Sequence, residues 1–415
     1  MSKPIQSRQS WNEYVCLGAL LAVSLLVAIK ISMTLPYFRG DEYADPAMEM
    51  VRTGHIHYNF LPVGYPALLA LGYKALGSET GFTAVNIILS LIMLASAWLY
   101  LRLTGLSVKL TLPVVFALSL YPDFCLAYNK TQDTNITATA IFLFMSAMIL
   151  MSRAKDRFAY PDVLLGASLG VAALIRPNLM LLAIVSWVVL YRSVLPGCRM
   201  RKLVPRILAQ TAIAAVVYCS ITILIHGSMF FPRNGAYNLY SGYNPYTSEH
   251  MWNEEDTIPD ALAAQHVQPT NNGDPKPNRE PELDPIYRDS AIAFIRNHPG
   301  QAAKLDLLKF VNMLLPDLNV HPARSLAGLV KILCSLAIPL WLVFSLMGGA
   351  PRAYDTRFLV AAVIVSVFLP FCLIISTPRF RIPLDFICWT DLGAMVLLRW
   401  TNPVTVRAKE LSIGA

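Results

Sequence analysis

Apolar runs of about 20 residues recur along this chain, each long enough to cross a bilayer as a helix. The first, VCLGALLAVSLLVAIKISMTL, occupies residues 15–35. In hydrocarbon every backbone N–H and C=O must be satisfied within the protein, so only helices and closed barrels span membranes. The length of the runs selects helices, and run length and periodicity place ten spans at 14–34, 82–101, 110–127, 135–152, 161–175, 178–195, 207–226, 326–348, 356–377 and 383–399. Composition excludes a soluble alternative: 14% of the 415 residues are charged and 55% hydrophobic, where a soluble domain has about 25% charged. The first run is too long for the apolar segment of a signal peptide and lacks a small-x-small cleavage site, so it reads as a retained helix. The expected fold is an all-α polytopic membrane protein of about ten transmembrane helices, with short interfacial helices in its first outer loop.

Lys and Arg set the orientation. They gather at Lys3 and Arg8, at Arg102 and Lys109, at Arg153, Lys155 and Arg157, in YRSVLPGCRMRKLVPR, at Arg352 and Arg357, and at Arg399, Arg407 and Lys409. These loops and both termini are expected in the cytoplasm; a plasma (inner) membrane and a eukaryotic luminal orientation are geometrically equivalent on this count. The net charge of +8 therefore points to membrane orientation and not to nucleic acid. The other face then carries 35–81, short turns near 128–134, 176 and 378–382, and a long segment, 227–325, rich in Pro, Asn and Tyr with a helical stretch behind it. The expected division is 1–226 with seven spans, 227–325 as an extracytoplasmic region, and 326–415 with three spans and a tail. The 7 cysteines mostly fall in spans and form no disulfide framework.

The stretch YFRGDEYADPAMEMVRTG places Asp41, Glu42 and Asp45 just past the first span. Pro46 suits the first position of a helix and Asp45 its N-cap, with Gly54 as the stop. Carboxylates at the membrane–water boundary cost little desolvation, unlike acids at mid-bilayer. Two readings stand side by side: the acids cap a helix and stay hydrated, or one of them serves as general base on an attacking hydroxyl.

The order of features resembles the C-type membrane glycosyltransferases, among them the protein O-mannosyltransferases and lipid A aminoarabinose transferases. RGDEYADPAMEMVRTG and HYNFLPVGYPALLALGYKALG resemble their first outer loop. YPDFCLAYNKTQDTNITATAIFLF resembles the second, and LLGASLGVAALIRPNLMLL is similar to a Gly-rich helix ending in Arg-Pro. RNGAYNLYSGYNPYTSE and IYRDSAIAFIRNHPGQAAKL resemble a loop and helix of bacterial members, and STPRFRIPLDF the turn before a late helix. The resemblance implies transfer of a sugar from a polyprenyl-phosphate carrier to a hydroxyl of a lipid, glycan or protein at the outer face. Asp41 matches the catalytic acid position, Glu42 the second letter of an Asp-Glu pair, and Asp133 the acid of the second outer loop. Arg176, Arg379 and Arg381 match positions suited to the carrier phosphate. Pro46 departs from the pattern and leaves the relative roles of Asp41, Glu42 and Asp45 open.

The implied mechanism is one in-line displacement with inversion, Asp41 taking the acceptor's proton and arginine holding the departing phosphate. Each further residue carries a plainer alternative. Arg176 beside Pro177 equally suits a snorkelling turn. Arg379 and Arg381 are expected on one side of an extended step, as loop anchors or donor contacts. Lys130 is expected to pair locally with Asp133 or to touch the carrier phosphate. Tyr237, Asn238, Tyr240 and Asn244 suit sugar or acceptor recognition, or ordinary packing. His55 and His57 are a weak metal pair; a divalent ion, if used, is better matched as Mg or Mn by Asp41 and Asp133. Asp391, deep in the last span, is assigned only a helix–helix hydrogen bond. The rival from another class is a transporter or flippase of a lipid-linked sugar, which wants ionisable groups at mid-bilayer.

Overall fold

The computed structural model describes residues 6–35, 43–57, 61–130, 132–153, 160–189, 200–229, 231–232, 234–245, 283–315, 326–347, 356–373 and 378–401. Asp41 and Glu42 lie outside the described residues.

Among the described residues the chain is helical throughout. The first half runs α1 (Gln6–Thr34), α2 (Ala44–Thr53), α3 (Gly64–Leu76), α4 (Thr80–Leu103), α5 (Val108–Ser119), α6 (Pro122–Leu126), α7 (Thr134–Arg153) and α8 (Tyr160–Ile175). A 3-10 turn (Pro177–Met180) leads into α9 (Leu181–Val189) and α10 (Met200–His226). Then come α11 (Gly235–Gly242), α12 (Asp284–Asn297), α13 (Pro299–Leu314), α14 (Leu326–Cys334), α15 (Ala337–Leu346), α16 (Arg357–Leu373) and α17 (Pro378–Thr401).

Among the described residues, four helical stretches are long and apolar enough to cross a membrane: Trp11–Thr34, Thr80–Leu103, Thr134–Met151 and Val204–His226. Val108–Ser119, Tyr160–Ile175, Ile332–Leu346 and Arg357–Pro370 are apolar but shorter. Length and composition thus support four of the ten expected spans. α17 is long but polar in places, and Leu384, Phe386, Ile387 and Cys388 on it are fully buried. A helix walled in by other helices can carry charge that a lipid-facing helix cannot.

Helix α7 is the centre, with 89% of its apolar window buried, and α4, α8 and α17 pack on it. Two glycines bring α8 onto α10. A Cβ at Gly166 would stand 2.8 Å from the Gln210 carbonyl oxygen, and one at Gly170 2.8 Å from that of Ala214. Their four-residue spacing puts both on one face, the small-residue seam that lets membrane helices touch backbone to backbone. Gly72 and Gly81 do the same for α3 and α4, where a Cβ on Gly81 would meet the Gly72 oxygen at 2.2 Å.

One end of the bundle is tied by polar contacts from Glu13 to Arg102 at 2.5 Å and from Arg206 to Asp162 at 3.0 Å. Gln210 also donates to Asp162, at 2.7 Å. Asp391 accepts from Tyr100, Trp341 and Thr356 at 2.8, 2.9 and 3.0 Å. It joins α17 to α4 and α15, the helix–helix bond expected of it.

Candidate active site

The opposite end gathers the C-terminus of α1, the starts of α4, α7 and α17, and the end of α8. Asp133 stands just before α7, and Arg176 follows α8 at the chain break set by Pro177. Arg176 Nε donates to Asp133 Oδ2 at 2.5 Å and Nη2 to Oδ1 at 2.6 Å. Both residues are buried, Asp133 2% and Arg176 7% exposed, so the fork–fork geometry acts where screening is weak.

Polar side chains extend this pair outward. Tyr65 Oη donates to Asn86 Oδ1 at 2.7 Å, and Asn86 Nδ2 to the Lys130 carbonyl at 2.9 Å. Asn135 Nδ2 donates to Ser90 Oγ at 2.6 Å. Asn129 Nδ2 donates to the Leu35 carbonyl at 2.8 Å, fixing the end of α1. Tyr43, the first described residue after the acidic pair, sets its ring edge-on to Tyr65 with centroids 5.1 Å apart. In the same stretches Tyr128 Oη, Thr134 Oγ1, Thr137 Oγ1 and Asn178 Nδ2, and on α17 Arg381 Nη2, are buried with no hydrogen-bond partner among the described residues. Burial pushes the Tyr128 hydroxyl well up, keeping it a neutral donor.

The segment 227–325 supplies a lobe made of α11, α12 and α13. Tyr237 and Tyr240 pack on Tyr287 with centroids 5.7 and 5.5 Å apart. The fully buried Lys309 lies 3.4 Å from the Tyr243 ring centroid and donates to Asp306 at 3.3 Å; the Tyr243 hydroxyl donates to the same carboxylate. Leu61 and Tyr43 of the first loop pack into this lobe.

No protein-family model matches the sequence, and no curated protein does. In structure, the chain is similar to the archaeal oligosaccharyltransferase AglB from Archaeoglobus fulgidus, solved with an inhibitory peptide and a dolichol-phosphate. The TM-score is 0.51 at 13% identity, over 98% of this chain and 52% of AglB. The likeness is one of fold, an all-helical arrangement shared with that membrane enzyme. This chain spans about half the length of that neighbour.

Against that fold the sequence expectations sort as follows. Asp133 and Arg176 meet, although they are 43 positions apart. Lys130 is not the partner of that carboxylate: both its oxygens accept from Arg176. Arg379 and Arg381 are not on an extended step. α17 begins at Pro378, and helix positions two apart do not share a face. Arg381 is instead paired with Asp385 one turn on, at 3.1 Å. Asp45 is not an N-cap, because α2 begins one residue earlier, at Ala44, with Tyr43 before it and no side-chain cap; Asp45 lies in the first turn. The stop at Gly54 stands, with φ 85° and its N–H on the Met50 carbonyl at 3.0 Å.

Of the four lobe residues, Tyr237, Tyr240 and Asn244 are buried, with Asn244 Nδ2 on the Tyr240 carbonyl at 2.8 Å. Asn238 is half-buried. His55 and His57 are exposed on either side of the buried Ile56, whose N–H donates to the Ile225 carbonyl at 3.1 Å. His226 joins them, 6.5 Å from His57 between ring centroids. Among the described residues no group of three His, Cys, Asp or Glu could hold a metal ion. Both Asp133 oxygens accept from Arg176, and Asp41, the other residue matched to Mg or Mn, lies outside the described residues.

Sequence reasoning passed over Asn86, Asn129 and Asp385. Asn86 had a signal, a polar amide inside an apolar run. So did Asp385, four residues after an arginine, the spacing of a helical ion pair.

Proposed function

We propose that the protein is a membrane glycosyltransferase that moves a sugar from a polyprenyl-phosphate carrier to a hydroxyl of a lipid, glycan or protein acceptor. The fold supports glycosyl transfer at this coarse level. What carries the reading is how the two residues flanking the acidic segment are held. Its upstream flank, Leu35, is held by Asn129. Its downstream flank, Tyr43, rests on Tyr65, which leads through Asn86 to Lys130. Both flanks are thus tied to the short segment that ends in the Asp133–Arg176 pair. Asp41 is two peptide steps from Tyr43, and each step spans about 3.8 Å between Cα atoms.

In the proposed reaction Asp41 takes the proton of the acceptor hydroxyl, with Glu42 beside it. The hydroxyl oxygen attacks the anomeric carbon, the bond from that carbon to the phosphate oxygen breaks, and configuration inverts. The phosphate leaves as a stable anion, so positive charge serves it better than a general acid. Arg176, Arg379, Arg381 and Lys130 supply that charge, and Asp133 acts by holding Arg176 in place. The buried hydroxyls and amides around the pair suit a ligand rich in hydroxyl groups. The lobe of α11, α12 and α13 takes the acceptor, with Asn238 its partly exposed amide among the four residues named. The membrane is the plasma membrane and the site faces away from the cytoplasm.

Purified protein in lipid vesicles, given a radiolabelled polyprenyl-phosphate sugar and an extract of cell-envelope acceptors, is expected to attach label covalently to acceptor. Movement of the labelled carrier between leaflets with no covalent transfer would contradict the reading and favour a flippase.

A further inference from the structure

Arg381 and Arg176 are held in different ways. Arg176 uses Nε and Nη2, the two donors along one edge of its guanidinium, in a closed pair with Asp133. Arg381 uses the same edge only in part. Its Nε donates to Asp385 Oδ1 at 3.1 Å, while Nη2 is buried without a hydrogen-bond partner among the described residues. Arg381 and Asp385 are each 3% exposed. A buried, unsatisfied donor on a cation is costly. Arg381 also stands in the first turn of α17, where the helix dipole favours anions over cations. An anionic oxygen at Nη2 relieves both penalties.

The surroundings keep water away. Phe386, next to Asp385, packs against Tyr121 with centroids 5.0 Å apart and against Phe124 at 6.3 Å. Phe124 in turn meets Tyr128 at 5.4 Å. A guanidinium is planar and rigid, so one bond at Nε sets the direction of the remaining donors.

We infer that Asp385 is a positioning residue: it fixes Arg381 through Nε so that Nη2 is presented to the phosphate of the lipid carrier. The inference rests on the function proposed above. Asp385 touches neither sugar nor acceptor and acts only through Arg381.

The test is the binding of a polyprenyl phosphate and of the uncharged polyprenol of equal length to the full-length protein in detergent, read by tryptophan fluorescence. The ratio of the two affinities isolates the phosphate. The wild type is expected to favour the phosphate about tenfold or more, as a charge-assisted bond provides. Asp385→Ala is expected to bring the ratio to within about threefold of unity, and Asp385→Asn, which keeps an oxygen for Nε, to retain most of the preference. Arg381→Lys keeps the charge but not the oriented edge, and is expected to lose the preference even if Asp385→Ala does not fold. An unchanged ratio in Asp385→Ala, or in Arg381→Lys, overturns the positioning role while leaving the proposed function in place when Arg381→Gln loses the preference. A wild type without preference, or an Arg381→Gln variant that keeps it, overturns the carrier-phosphate role of Arg381 and this inference with it.

Discussion

Asp133 and Arg176 are the residues on which the candidate site turns, and their pairing sets what each can do. A carboxylate with both oxygens on a guanidinium is an anchor, and removing one partner leaves the other charged and buried. Such a loss typically costs about 3–5 kcal/mol. Asp133→Ala and Arg176→Ala should therefore each lower the thermal midpoint of the detergent-purified protein. The double variant should lose less than the two losses added, with a coupling energy of about 1–3 kcal/mol. Additive losses would show that the pair is not formed. The sequence shows both residues but not their meeting. Lys130 is three positions from Asp133, and short separation is all a linear reading can weigh; Arg176 comes within reach only when α7 packs on α8. The tyrosines of the lobe teach a related lesson. Their density in AYNLYSGYNPY suggests a binding surface, yet Tyr237 and Tyr240 turn inward on Tyr287.

Among elements, the α8–α10 seam left a mark in the sequence, though one that does not identify the partner helix. LLGASLGV places Gly166 and Gly170 four apart, and that spacing means one helix face. A Cβ on Gly170 would strike the Ala214 carbonyl. Gly170→Val should destabilise the protein by about 1–3 kcal/mol through overpacking. Gly18→Ala in α1, where nothing lies within 4 Å of the added carbon, should be neutral or stabilising by up to about 1 kcal/mol. Thermal melts of the two variants compare them directly, and equal midpoints would contradict the seam. Helix starts were read less well. Pro383 was taken as the beginning of the last span, but α17 starts at Pro378 and carries Pro383 inside it. Pro378 stands at the first helical position, where a missing N–H costs nothing, whereas Pro383 lies inside the helix and forfeits the bond to the carbonyl four residues back without ending it, so a proline marks a boundary only loosely. That error put Arg379 and Arg381 on an extended step and hid the i, i+4 bond to Asp385.

At the scale of the whole molecule, hydropathy pointed to the class of fold, and the length and composition of the described helices support four of its ten spans. The runs it finds include helices such as Val108–Ser119 that are apolar but short, and it cannot tell lipid-facing surface from surface buried against other helices. The asymmetry between the two ends was more legible. Lys and Arg mark one end, which the structure ties with Arg102–Glu13 and Arg206–Asp162. The opposite end carries the Asp133–Arg176 pair with Asn86, Asn129 and Asn135 near it, and the Arg381–Asp385 pair at the start of α17. The central claim is that this end performs covalent sugar transfer with Asp41 as the base. Its most direct test is the steady-state kinetics of Asp41→Asn and Asp41→Ala with a polyprenyl-phosphate sugar donor, each variant first matched to wild type in thermal midpoint and carrier binding. Loss of a general base is expected to lower kcat by about 100-fold or more while the donor KM changes little; turnover within a few-fold of wild type in both variants would contradict the account.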